Sequence, residues 1–239
     1  MSLSNHSNPH IQPNERVDVF LNGKIRVIQS KRGYRFSMDA LLLAEFAAVK
    51  SGDRVVDLGT GCGIILLALL TTSPAAFAAG VEIQEHLASQ AGRNAVLNGL
   101  DARMGVVRGD LRRPPLRQGI WDLVVCNPPY RKTQSGRINP DPERAVARHE
   151  ILADIGDILA AARLLLKAKG RLAMVYPCSR MADLIVRMRS IGLEPKRIQM
   201  VHPNISSEAK LALVEASWGG RPGVSILPPV LDQGPYSLR

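Results

Sequence analysis

Short apolar runs alternate with amphipathic stretches along most of the chain. The amphipathic stretches repeat their apolar positions at the helical period, and the apolar runs are typical of strands buried on both faces. The predicted strands are Val55–Leu58, Phe77–Ile83, Met104–Arg108, Trp121–Cys126 and Arg171–Tyr176. Strands that alternate with helices predict an α/β fold with a mostly parallel sheet and helices on both of its faces.

The N-terminal region departs from this pattern. Residues 1–14 are rich in Ser, Asn, His and Pro and carry little apolar surface, which predicts a disordered tail. Val17–Leu21 and Ile25–Gln29 are short β-prone runs on either side of Asn22-Gly23, a strong hairpin signal. We therefore expect a β-hairpin before the main fold.

The C-terminal region predicts an antiparallel end to the sheet. Ile198–Val201 and Leu211–Ser217 are two apolar runs with no helical pattern between them. Together with the five earlier strands they predict a seven-stranded sheet. We expect a single domain over residues 15–239, with a hairpin and helix at 15–50 and the core at 51–239.

A glycine-rich turn follows the strand at Val55–Leu58. The sequence from Asp57 to Gly63 reads DLGTGCG, and an apolar helix follows. Glycines let the backbone approach a ligand, and a helix N-terminus offers free N–H groups to polar or anionic atoms. A nicotinamide-binding fingerprint needs a further glycine where Ile64 stands, so the pattern does not favour a dehydrogenase. The alternative is a turn without a ligand.

Acidic residues end the next two strands. Glu82 lies nineteen residues after Gly63, where a nucleoside ribose presents two hydroxyls to a carboxylate in doubly wound folds. A charge near a helix N-terminus is the alternative interpretation of Glu82. Asp110 follows the strand at Met104–Arg108 in the same way and is placed to accept a hydrogen bond from an adenine amino group.

The fourth strand ends in Asn127-Pro128-Pro129-Tyr130. The Asn127 carboxamide oxygen and the Pro128 carbonyl can accept both hydrogens of a planar exocyclic amine and so stabilise the charge that grows on its nitrogen. Proline holds Asn127 extended, and Tyr130 can stack on a base. The alternative is a rigid proline turn. A polar loop with functional character is expected at 131–148.

The charge of the chain indicates an acidic partner, and its cysteine spacing indicates a reducing compartment. The formal charge is +10 and the pI about 10.0, which favours a nucleic-acid partner over an anionic membrane. Between Arg163 and Arg197, nine Lys or Arg accompany two acidic residues, as in a nucleic-acid face or a solvated helix surface. Cys62, Cys126 and Cys178 have no disulfide or metal spacing. With no signal or membrane-spanning pattern, we expect a cytoplasmic protein without metal.

The glycine motif, Glu82, Asp110 and the NPPY loop are similar to those of the amino-group methyltransferases of the Rossmann-like class I. Within that class, three stretches and the absence of an added recognition domain resemble the bacterial tRNA1(Val) (adenine-N6)-methyltransferase family from about Val17 onward; the stretches are GYRFSMDALLLAEF, ARHE and KLALVEA. The resemblance implies a Rossmann-like methyltransferase fold that binds S-adenosyl-L-methionine and methylates a base amino group, adenine N6 in the anticodon loop of tRNA.

The resemblance also implies roles for individual residues. Those expected to hold the cofactor are Phe36, Asp39, Asp57, Gly59, Thr60, Gly61, Gly63, Glu82, Asp110 and Asn127. Those expected at the reacting amine are Asn127, Pro128, Pro129 and Tyr130. A monomer is expected.

Other activities share the same four-residue loop. Ribosomal RNA, DNA and protein glutamine methyltransferases carry it, although only about fifty residues precede the glycine strand here and a protein-modifying enzyme would normally bring a helical N-terminal domain. A non-enzymatic alternative is an RNA-binding protein on an inactive methyltransferase fold. Substitutions at Asn127 or the glycines would favour it, and the sequence has none.

Overall fold

The described part of the chain, residues 9–32, 38–128 and 153–232 of a computed structural model, forms ten strands and five α-helices. The strands are β1 Glu15–Phe20, β2 Ile25–Ser30, β3 Arg54–Leu58, β4 Phe77–Glu82, β5 Met104–Arg108, β6 Trp121–Cys126, β7 Leu166–Pro177, β8 Leu193–His202, β9 Leu211–Trp218 and β10 Ser225–Leu231. The helices are α1 Met38–Phe46, α2 Ile64–Thr72, α3 Glu85–Leu97, α4 Ile155–Leu165 and α5 Met181–Ser190. Phe36, Pro129, Tyr130 and the loop predicted at 131–148 lie outside the described residues.

Eight of the strands form one sheet in the order β10-β8-β9-β7-β6-β3-β4-β5. β9 runs antiparallel to both of its neighbours, and the other pairs are parallel. From β3 the strand order runs through β4 to β5 at one edge of the sheet, and from β6 it runs through β7 towards the opposite edge. Ligands of doubly wound folds bind at such a reversal, outside the carboxyl ends of the strands. The predicted fold class is confirmed.

The sheet has eight strands where the sequence predicted seven. The additional strand, β10, lies parallel to β8 at the edge of the sheet. It contains Pro228 and Pro229, and its register shifts between Leu227 and Val230. Proline cannot donate to a β-ladder, so a sequence with two adjacent prolines argues against a strand. At a sheet edge that loss is tolerated, which explains the difference.

Two apolar layers enclose the sheet because successive residues of each strand point to opposite faces. Val55 of β3 packs with α1, α2 and β2 on one face, whereas Val56 packs with α4 and α5 on the other. α2 is buried over Ile64–Leu70. α4 begins at a reciprocal cap in which Asp154 and Asp157 each accept from the other's backbone N–H.

The predicted hairpin is present and packs on the sheet layer through β2, where Ile25, Val27 and Ile28 are fully buried. Residues 9–14, which the sequence placed in a disordered tail, contact the folded chain: the His10 carbonyl accepts from Arg93, and the Asn14 carbonyl from Lys31. None of the helices in the described ranges is long and apolar enough to cross a membrane.

Candidate active site

The turn after β3 is left-handed at all three glycines. The φ angles are 75° at Gly59, 57° at Gly61 and 86° at Gly63, a region that other residues rarely adopt. A Cβ on Gly59 would meet no atom of the described residues within 4 Å, whereas one on Gly63 would lie 2.7 Å from the Met104 Cε atom. Gly59 therefore leaves open space beside the turn, and Gly63 allows close packing against β5.

Backbone hydrogen bonds fasten this turn to β4. The N–H groups of Gly59 and Thr60 both donate to the Val81 carbonyl, at 2.9 and 3.1 Å. The Thr60 side chain lies directly on Gly80, where a Cβ would come within 2.6 Å of the Thr60 Cγ2 atom. The absence of a side chain on β4 at this point lets the turn approach the strand.

Glu82 ends β4 and is held by two backbone donors. Its Oε2 accepts from Gly61 N–H and its Oε1 from Gln84 N–H, both at 2.9 Å. Burial raises the pKa of this carboxyl, and the backbone N–H groups oppose the shift in part. Each carboxylate oxygen has two lone pairs, so each keeps one for a further donor. The carboxylate is thus oriented for two neighbouring hydroxyls.

Asp57, near the end of β3, is fully buried. Apart from the neighbouring Thr60 hydroxyl, whose geometry is not that of a well-formed hydrogen bond, neither of its carboxyl oxygens has a partner among the described residues. Burial raises the pKa to about 7; the Thr60 hydroxyl opposes the shift, and the nearby Glu82 carboxylate adds to it. A buried carboxylate without a partner is unfavourable, so the position fits a ligand that brings a donor or a positive charge.

An open cleft lies at the carboxyl ends of β4 and β5. It is lined by Gly59, Val81, Glu82, Ile83, Gly109, Asp110, Leu111 and Ala153. The Asp110 carboxylate is paired with Arg112, with a shortest nitrogen–oxygen distance of 2.5 Å. The hydrogen bonds from Arg112 lower the pKa of Asp110. An adenine donor would share this carboxylate with Arg112 or displace it.

Asn127 follows β6, the strand beside β3. Asp57 is paired in register with Val125, and the Cys126 thiol lies 3.3 Å from the Leu58 carbonyl, so the two strands stay together up to their ends. Asn127 therefore leaves the sheet next to Gly59. The structure places the start of the NPPY loop directly beside the glycine turn.

The structure brings most of the predicted residues to one edge of the sheet. Gly59, Glu82 and Asp110 line the cleft, and Asp57, Thr60, Gly61, Gly63, Asn127 and Pro128 lie in or beside the turn. Asp39 lies in the first turn of α1 and does not line the cleft. The expected roles of Phe36, Pro129 and Tyr130 fall outside the described residues.

The apolar residues of the cleft wall were missed in the sequence, and two of them follow a pattern. Ile83 and Leu111 line the cleft, and each directly follows an acidic residue at the end of a strand. This repeated acid-then-apolar pair was the signal that could have identified them. Arg112 was also missed, because its pairing with Asp110 becomes apparent only in the folded chain.

Comparison with known proteins identifies the family. The sequence model of the methyltransferase small domain family matches residues 36–182, more than half of the chain. The chain belongs to this family. The methyltransferase is 31% identical to a protein of Porphyromonas gingivalis (strain W83) over 83% of this chain and 80% of the relative. It is 38% identical to a protein of Aeromonas hydrophila over 72% of this chain and 71% of the relative. Both relatives are named tRNA1(Val) (adenine(37)-N6)-methyltransferase, which confirms the resemblance inferred from the sequence.

Solved structures share the fold of this methyltransferase. A predicted O-methyltransferase from Agrobacterium tumefaciens superposes with a TM-score of 0.65 at 23% identity, covering 84% of this chain and 90% of that one. A geranyl diphosphate methyltransferase in complex with SAM superposes with a TM-score of 0.57 at 16% identity, covering 75% of this chain and 84% of that one.

The methyltransferase uses S-adenosylmethionine as its cofactor. The residues present fit this molecule. Glu82 keeps two lone pairs suited to ribose hydroxyls, and the buried Asp57 carboxylate suits the ammonium group at the amino acid end. The open space at Gly59 admits close approach to the backbone, and Ile83 with Leu111 offers apolar walls for a flat base.

Proposed function

We propose that this methyltransferase transfers a methyl group from S-adenosylmethionine to the N6 atom of an adenine in the anticodon loop of tRNA. The observation that carries the proposal is the position of Asn127 and Pro128 at the end of β6, next to the glycine turn. The names of the relatives support adenine 37 of tRNA1(Val) as the target.

Asn127 and Pro128 act on the amino group of the adenine. The nitrogen lone pair of adenine N6 is delocalised into the ring, which makes the amine a weak nucleophile. The Asn127 carboxamide oxygen and the Pro128 carbonyl accept its two hydrogens and stabilise the positive charge that develops as the nitrogen–carbon bond forms. When bound, S-adenosylmethionine would supply the methyl group: the methyl–sulfur bond would break as the nitrogen–carbon bond forms, its electron pair staying on sulfur, and the amine would then release one proton to solvent.

Glu82 and Asp57 hold the cofactor in place for this reaction. Glu82 accepts from the ribose hydroxyls through the lone pairs that its backbone donors leave open. Asp57 in its ionised form favours the ammonium group of the cofactor, and its full burial strengthens that attraction. Fixing the cofactor in this way lowers the entropy cost of bringing the methyl group to the amine.

A tRNA substrate agrees with the composition of the chain. The formal charge of +10 favours binding to a polyanion. A tRNA substrate also implies that the enzyme works in the cytoplasm. Ribosomal RNA, DNA and protein glutamine are the other substrate classes that the NPPY loop serves, and an inactive RNA-binding protein is the non-enzymatic alternative.

The catalytic role of Asn127 is tested by Asn127→Ala. Because its carboxamide stabilises charge that appears only in the transition state, the single-turnover rate on unmodified tRNA should fall by about 10²–10³. Affinities for cofactor and tRNA should stay near the wild-type values. Asn98→Ala, which removes an asparagine outside the cleft, is the control. If Asn127→Ala methylates tRNA at the wild-type rate, the NPPY loop is not the catalytic element.

The substrate class is tested by analysing the product. Unmodified bulk tRNA and genomic DNA are each incubated with the enzyme and labelled cofactor, then digested to nucleosides and analysed by mass. We expect label in N6-methyladenosine from tRNA. Label in DNA alone would replace the tRNA proposal with a DNA one, and transfer to neither would favour a protein substrate or the inactive alternative.

A further inference from the structure

Asn94, on α3, lies between the N-terminal hairpin and the glycine turn. Its side chain is fully buried. The carboxamide oxygen accepts from Ile28 N–H at 2.6 Å, and the carboxamide nitrogen donates to the Ile28 carbonyl at 3.0 Å. The same nitrogen donates to the Cys62 carbonyl at 2.9 Å. One side chain therefore joins β2 to the turn that follows β3.

Asn98, one helical turn further on, is also hydrogen-bonded to β2 but not to the glycine turn. Its oxygen accepts from Arg26 N–H at 2.9 Å and its nitrogen donates to the Arg26 carbonyl at 2.7 Å. Its remaining hydrogen bond goes to the Asn94 carbonyl within α3, at 2.7 Å. Both asparagines thus hold β2 as a neighbouring strand would, but Asn94 also reaches the glycine turn.

The Cys62 carbonyl lies in the middle of that turn. Gly61 precedes it and donates to Glu82; Gly63 follows it and is the N-cap residue of α2. Bonds to Val81 and Glu82 hold the turn on the side of β4, and the bond from Asn94 holds it on the side of the hairpin. A change in the position of Cys62 would move Gly61, and with it the donor that orients the Glu82 carboxylate.

We propose that Asn94 is a positioning residue for S-adenosylmethionine, and that through it the hairpin forms part of the cofactor-binding machinery. The hairpin restricts the motion of the glycine turn in the protein without cofactor. The entropy cost of ordering the turn on binding is therefore smaller. The inference depends on the cofactor and not on tRNA. A different methyl acceptor would leave its test unaffected.

The test compares Asn94→Ala with Asn98→Ala by calorimetric titration with S-adenosylmethionine. Each variant loses a carboxamide paired with β2, and Asn94→Ala also frees the Cys62 carbonyl. We expect the dissociation constant to rise at least tenfold for Asn94→Ala, which corresponds to about 1.4 kcal/mol, and less than twofold for Asn98→Ala. Equal changes in the two variants, or no change in Asn94→Ala, would overturn the proposal.

Amide hydrogen exchange on the protein without cofactor gives a second readout. The Gly61 and Gly63 amides should exchange faster in Asn94→Ala than in the wild type or in Asn98→Ala. A general loss of stability would instead raise exchange equally in both variants and contradict a positioning role. If Asn94→Ala does not fold, Asn94→Ser, which retains one donor at shorter reach, replaces it with the same expected order of affinities.

Discussion

The Asp57 carboxyl is fully buried, and burial raises its pKa from 3.8 to about 7. In the unfolded chain it titrates near 3.8, so between about pH 4 and pH 7 the folded state binds more protons than the unfolded state. The stability that this group contributes is present below about pH 4 and is lost as the pH rises through about 7. The ionised form of Asp57 suits the cofactor, but the same form lowers the stability of the protein without cofactor.

Asp57→Asn separates the two effects. The amide has nearly the same shape and does not ionise, so the melting temperature of the variant relative to wild type should increase between pH 5 and pH 8, measured without cofactor. Its affinity for S-adenosylmethionine at pH 8 should be lower than that of the wild type.

Asp122→Asn is the matched control. Asp122 pairs with Lys167, and its pKa is lowered although burial opposes that shift. It is therefore ionised throughout the range from pH 5 to pH 8, and its replacement should change the melting temperature by a similar amount at each pH. Parallel curves for Asp57→Asn and wild type would contradict the raised pKa.

The sequence predicted those site residues that belong to a local pattern. Asp57, Glu82 and Asp110 each stand at a strand end, and strand ends follow from apolar runs. The contacts of Asn94 could not be predicted, because its partner Ile28 is 66 residues away and a buried asparagine has no periodic signal. Whether a polar residue in an amphipathic helix is exposed or bonded depends on what packs against it.

Among the elements, the hairpin is attached to α3 in part by one largely buried ion pair. Glu15 at the start of β1 accepts from both terminal nitrogens of Arg93 on α3, each at 2.6 Å, and from Gln90 at 2.9 Å. Burial alone would raise the pKa of Glu15, but the hydrogen bonds from Arg93, the Gln12 N–H and Gln90 lower it to about 2. Its stabilisation is therefore present above about pH 4.5 and lost as the pH falls towards 2.

Glu15→Gln tests this attachment. Removing one partner of a buried pair leaves Arg93 uncompensated, so the free energy of unfolding at pH 7 should fall by about 3 kcal/mol, and the difference should shrink on acidification. Denaturant unfolding at pH 7 and pH 3 measures both. Arg16→Gln on the same strand removes the exposed pair with Asp18 and should cost less than about 1 kcal/mol. Similar losses in the two variants would contradict a special role for Glu15.

The elements also differ in how far the sequence predicts them. Asn22-Gly23 predicted the hairpin because few residues adopt positive φ, and the structure gives φ of 52° and 88° at these positions. β10 was missed because propensity argues against prolines in strands, whereas the geometry of a sheet edge permits them.

At the scale of the whole molecule, the basic residues between Arg163 and Arg197 do not form one exposed face. The Arg171 side chain is only 11% exposed and pairs with Asp53 at 2.5 Å. Arg197 donates to the Phe46 carbonyl at 2.5 Å and lies over the Phe46 ring. These cations are engaged in the fold. Counting basic residues along the sequence cannot distinguish those paired within the fold from those exposed to an RNA phosphate backbone.

The net charge of +10 nevertheless predicts salt-dependent binding of tRNA. Each neutralised phosphate releases counterions. The affinity for unmodified tRNA should therefore fall by at least about tenfold between about 50 and 200 mM salt. Fluorescence anisotropy measures it, with calorimetry of S-adenosylmethionine under the same conditions as a control expected to change little. An affinity for tRNA that does not vary with salt would argue for a protein or small-molecule substrate.

β10 also bears on how copies of this protein behave when concentrated. Without it, β8 would expose a row of backbone donors and acceptors to which another chain could add a strand. β10 covers that row, and the Gln199 side chain bonds the Pro228 carbonyl where the ladder is interrupted. Because neither Pro228 nor Pro229 has an N–H group, β10 is a poor template for further pairing. Two prolines at this edge therefore oppose aggregation through strand addition.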